Sequence, residues 1–102
     1  PTVTKFSISG AANKYAQISK EMGFAQNTDS DEAANHNLIK GLEALNRRLK
    51  VPRLRDCKGM DEVRFHEVLH KMADDALASG SPQNNPMVPS KDEIIKLYLE
   101  AW

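Results

Sequence analysis

His66-Glu67-Val68-Leu69-His70 is the stretch of this chain whose residue types and spacing come nearest to a known chemistry. Histidines four residues apart on a helix share a face and can grip one zinc ion. The adjacent glutamate then activates a zinc-bound water for hydrolysis. Such a centre needs a third ligand. No further histidine follows at the spacing that extended zinc-protease motifs use, and no glycine occupies the turn after His70. The downstream glutamates are Glu93 and Glu100, and Glu93 stands where a helix cap would use it. At about 100° per residue, Phe65, Leu69, Met72 and Ala76 centre an apolar face, with His66 and His70 on its margin. Three readings stand: boundary histidines whose ring edges reach water, an adventitious surface metal site, or a metalloprotease centre. The missing ligand weighs toward the first.

Other chemistry-bearing residues stand alone. His36 lies on the polar side of its predicted helix. Cys57 becomes a reactive thiol only if Arg55 or Lys58 lowers its pKa, and no histidine is near in sequence to act as its base. Met22, Met60, Met72 and Met87 read as packing, because methionine fills irregular gaps in cores. Ser81 sits in no Gly-x-Ser-x-Gly elbow, so a nucleophile reading is weak.

The elements that must position these residues are helical. Ala11, Tyr15, Ile18 and Met22 recur at helical spacing, with Ser9 able to cap the start and Gly23 the end. Leu38, Leu42, Leu45 and Leu49 form a second stripe, which stops near Lys50 because Pro52 cannot continue the hydrogen-bond ladder. Pro52 to Asp56 reads as a short turn or one-turn helix. A third long helix is predicted from about Asp61 to Ser79, closed by Gly80. A loop from Ser81 to Pro89 follows. The last helix opens on Ser90 and Glu93, a capping box, and lines one face with Ile94, Leu97, Tyr98 and Ala101. The expected fold is all-α, a bundle of four main helices plus a short turn helix, with residues 1–102 forming a single helical subdomain.

Composition narrows the function classes. The 102 residues carry 14 basic and 14 acidic side chains, which cancel. Without a positive field or stacking platforms of aromatic residues, no nucleic-acid partner is expected. Apolar runs are only a few residues long, so no membrane partner is expected either. One cysteine excludes an internal disulfide and suits a reducing, cytoplasmic setting.

Several segments, in order, resemble the C-terminal helical region of iron-containing (group III) alcohol dehydrogenases. Pro1, Val3 and Phe6 resemble the end of a Leu-Pro-x-Val-x-x-Phe-Asn run. Lys14-Tyr15-Ala16 with Ile18, Met22 and Gly23 resembles the helix that follows it. Leu45-Asn46, Leu49, Val51-Pro52 and Leu54-Arg55-Asp56 resemble the middle helix and its turn. Ala73 to Ala76, Asn85-Pro86, Leu97-Tyr98 and Ala101-Trp102 resemble the closing segment. The resemblance implies the C-terminal part of the dehydroquinate synthase-like, iron alcohol dehydrogenase helical domain, as a fragment of a larger two-domain enzyme. That parent would be an NAD(P)-linked oxidoreductase of alcohols and aldehydes. A divalent iron or zinc, held upstream by one aspartate and three histidines, would polarise the substrate oxygen.

On this reading the fragment itself holds no catalytic, cofactor-binding or metal-ligating residue. It buttresses the metal-bearing helices of the remaining enzyme, and Ser81, Asn85 and Pro86 border the substrate cleft. It is expected to be inactive alone. Ser7, Ser81 and Met87 depart from the family's usual Asn, Cys and Arg, which leaves substrate preference open. The rival reading is an independent helical protein-interaction module, and self-association is expected under either.

Overall fold

Capping residues and helix breakers divide this chain into short helices. The computed structural model describes residues 1–102, which fold without a single β-strand. Five α-helices occur: α1 (Thr2–Ser7), α2 (Ala12–Glu21), α3 (Asp31–Arg48), α4 (Glu62–Ala78) and α5 (Lys91–Ala101). Single 3-10 turns at Ile8–Gly10, Leu54–Asp56 and Ser81–Asn84 join them. The all-α class is as expected, and α1 is the helix added to the four predicted. Contacts group the chain into two compact units, Val3–Val51 and Pro52–Trp102.

In the first unit α2 packs on α3 through small residues. Ala16, Ser19 and Ala34 are wholly buried, and Leu38 is the one large aliphatic side chain fully enclosed there. Two side chains cross the seam to main-chain oxygens. Ser19 Oγ donates to the carbonyl of Ala34 at 2.6 Å, and Asn35 Nδ2 donates to that of Ala12 at 2.9 Å. This corrects the predicted stripe of α2. Ile18 and Met22 are 45% and 47% exposed, and the buried face is Ala16 and Ser19. Small side chains let two backbones approach closely enough for these hydrogen bonds, which hydrophobic periodicity alone does not register. On α3 the predicted leucine face holds at Leu38, is half-buried at Leu42 and Leu45, and opens to solvent at Leu49.

The ends of α2 and α3 share one device. Beyond Met22, Gly23 turns left-handed at φ 74°, and the Phe24 N–H returns to the carbonyl of Ser19. Beyond Leu49, Lys50 takes φ 54°, and the Val51 N–H returns to Asn46. Both are Schellman closures, which satisfy carbonyls that the last turn leaves free. Ser9 caps nothing: α2 starts at Ala12 behind Ala11, which offers no side-chain cap, because Ile8–Gly10 has already coiled into a 3-10 turn. Ser30 caps α3 instead, accepting from the Ala33 N–H.

In the second unit α5 runs back along α4. Lys91 meets Asp74 near one end, and Trp102 meets Phe65 near the other. Phe65, Leu69, Ala73 and Ile94 are the buried core, as the spacing predicts. The Trp102 ring stacks on Phe65 with centroids 4.2 Å apart and planes 18° from parallel. Arg55 Nε donates to the main-chain oxygen of Trp102, which fixes the turn after Pro52 to the end of α5. Asp61 caps α4 and Ser90 caps α5, the latter with the complete predicted capping box.

Candidate functional site

The cleft-bordering residues expected from sequence lie just beyond α4. Gly80, left-handed at φ 75°, turns the chain out of that helix. Ser79 Oγ donates to the Ala76 carbonyl at 2.6 Å and accepts from the Ser81 N–H at 3.2 Å. Ser81–Asn84 then coils into a 3-10 turn where an irregular loop is expected, with Pro82 in its first residues and the Asn85 N–H closing on Pro82. Ser81 and Pro86 are exposed and Asn85 is half-buried. Ser81 thus opens the 3-10 turn, the Asn85 N–H closes it, and Pro86 follows directly. That arrangement can present a polar edge to a neighbouring surface. Nothing in it activates the Ser81 hydroxyl.

His66 and His70 are both exposed, one turn apart on α4. Glu67 between them is engaged by Arg64, whose guanidinium lies 3.1 Å from its carboxylate. No three His, Cys, Asp or Glu side chains converge anywhere in the chain as a metal set. The third donor that zinc hydrolysis requires is thus not brought to this pair. His36 is exposed on α3, and Cys57 is half-buried with its thiol 3.4 Å from the Arg53 carbonyl.

Two perturbed carboxyl groups are structural. The Ser90 N–H and then its hydroxyl donate to Glu93, holding that carboxyl below the usual glutamate range. Arg53 does the same for Asp56, by a 2.9 Å hydrogen bond across a single turn.

Two concavities of the first unit have no counterpart in the sequence pattern. One, of about 470 Å³, is lined by Lys5, Ile8, Asn35, His36, Ile39 and Lys40. The other, of about 460 Å³, is lined by Met22, Phe24, Gly41, Ala44, Leu45 and Arg48. The second continues the exposed apolar side of α2. Both depend on which helix faces meet, which a one-dimensional pattern does not encode.

Comparison with known proteins gives these helices a context. The whole chain, residues 1–102, matches the family described as "Fe-containing alcohol dehydrogenase family, C-terminal". It is 28% identical over 98 residues to an NADPH-dependent butanol dehydrogenase of Clostridium saccharobutylicum, covering 96% of this chain and 25% of that protein. It is 32% identical over 104 residues to an alcohol dehydrogenase of Thermococcus barophilus, covering all of this chain and again 25% of the relative. The chain thus spans about a quarter of the length of the curated relatives it matches. No solved structure matches it.

Proposed function

This chain belongs to the C-terminal family of Fe-containing alcohol dehydrogenases, and from that premise we propose that it forms the helical C-terminal part of a metal-dependent, NAD(P)-linked oxidoreductase. The reaction would interconvert alcohols and aldehydes in the cytoplasm. The observation that carries this reading is the family match over every residue, supported by two relatives named as butanol and alcohol dehydrogenases.

The part played by these residues is support. Ile18, Met22, Leu49 and Val51 are each 45% exposed or more, and burying them against the rest of the same enzyme would give both sides stability. On this reading these exposed apolar groups are the surface that the rest of the enzyme covers. The turn at Ser81, Asn85 and Pro86 borders the substrate cleft of that larger assembly. In the intact enzyme the metal would supply Lewis acidity toward the substrate oxygen, and the nicotinamide would exchange hydride. On this reading that metal is held by residues outside this chain. No catalytic step is assigned to this chain's own residues, and the chain alone is inactive.

Two measurements test the proposal. The purified 102-residue chain, given butan-1-ol with NAD⁺ or NADP⁺, should produce no reduced nicotinamide; turnover by the chain alone refutes the supporting role. Reading the coding sequence upstream of Pro1 should reveal a glycine-rich nucleotide loop and an Asp/His ligand set. A stop codon there would instead favour an independent helical interaction module, which the same exposed side chains would serve.

A further inference from the structure

We propose that His66 and His70 of α4 form a surface site for one borderline divalent transition ion, held by two imidazole nitrogens and completed by water. The inference is independent of the dehydrogenase reading and concerns this helix alone. α4 is unbroken from Glu62 to Ala78, so the two residues sit one turn apart on one side of it. That spacing places their β-carbons about 5–6 Å apart. Two imidazoles can then converge on a single ion at about 2.0–2.1 Å.

Both rings are available. Each residue is exposed, and the hydrogen bonds on this stretch run between Arg64 and Glu67 and between Lys71 and Asp75, leaving both imidazoles free. His66 meets Phe65 in a T-shaped arrangement, 5.5 Å between centroids. Nearby cations are compensated: Arg64 pairs with Glu67, Lys71 with Asp75 and Lys91 with Asp74. An incoming ion therefore meets no uncancelled positive charge on these neighbours.

The donor set fixes the kind of ion. Two neutral nitrogens suit Cu²⁺, Ni²⁺ and Zn²⁺, with copper and nickel preferred over zinc in general affinity order. Calcium and magnesium require oxygen ligands and should not bind. Because Glu67 is committed to Arg64 and no third protein donor converges, the remaining positions belong to water. This is a holding site without hydrolytic machinery.

The test is calorimetric titration of the full, tag-free chain with NiCl₂, repeated with CuCl₂, ZnCl₂ and CaCl₂. Saturable binding of one nickel ion per chain is expected, and none of calcium. His66→Gln and His70→Gln should each weaken nickel binding by about tenfold or more. His36→Gln should leave it unchanged, and Glu67→Gln, which uncovers the Arg64 charge, should weaken it by less than about fivefold. Circular dichroism verifies that each variant keeps its helix, and nickel should raise the melting temperature of the native chain but not of the two binding variants. Unchanged affinity in His66→Gln or His70→Gln overturns the proposal. So does an absence of saturable nickel binding up to the millimolar range. Loss of binding in Glu67→Gln together with zinc-dependent casein cleavage would replace it with a hydrolytic centre.

Discussion

Ser90 and Glu93 decide locally where α5 begins. The hydroxyl of Ser90 accepts from the Glu93 N–H at 3.3 Å, and the Glu93 carboxylate accepts from the Ser90 N–H at 2.8 Å. These donors hold the Glu93 carboxyl below its ordinary value of 4.5, so folding favours its ionised form. The sign follows from linkage: the contribution is fully present above the unfolded value and is lost as pH falls through the lower folded value. Thermal melts on the acid side of about 4.5 should therefore decline less steeply for Glu93→Gln than for the native chain. Parallel acid limbs would remove Glu93 from the account. This cap was legible in sequence, as were Gly23 and Gly80, because each depends on residues within one turn of each other. Lys50 was not, since a left-handed lysine carries no compositional mark. Its conformation follows from the Schellman closure that Val51 completes on Asn46.

Between elements, Phe24 packs closely on α3 at Gly41. A β-carbon added at Gly41 would fall 2.5 Å from the Phe24 ring, at the ring carbons nearest its own backbone, where rotation offers little relief. Gly41 is thus required in mid-helix despite its cost of about 1 kcal/mol in propensity against alanine. Gly41→Ala should destabilise the chain by about 1–3 kcal/mol, the usual penalty of overpacking, in denaturant titration. Stabilisation by alanine would show that the Phe24 ring is free to swing aside. The α2–α3 seam explains why sequence misread one face. Ser19 and Asn35 are polar residues, which an apolar stripe discards, yet they are buried and bridge the helices. Ile18 and Met22 fit a stripe equally well and lie outside it. On α4 no such competition exists, and Phe65, Leu69 and Ala73 fall where their spacing puts them. Two prolines bar an α-helix from the segment after Gly80, yet Pro82 suits the opening of a 3-10 turn.

Across the molecule, charge contributes little to stability. Fourteen cations balance fourteen anions, and every side chain of the four ion pairs is at least 40% exposed. Exposed pairs are worth about 0–1 kcal/mol each and are screened by salt. Raising sodium chloride from about 0.02 to 0.5 M should shift the melting temperature by less than about 5 °C. A larger fall would assign the exposed pairs a weight that their solvation argues against. Stability rests instead on small apolar clusters, one around Leu38 and one around Phe65 and Leu69. The stacked ring at the end of α5 has an optical consequence. Trp102 is the only indole in the chain, so its emission is a built-in probe of the segment from Pro52 onward. Selective excitation would follow the melting of α4 and α5 by a red shift, while α2 and α3 stay dark and must be watched by amide exchange, since the two tyrosines divide between α2 and α5.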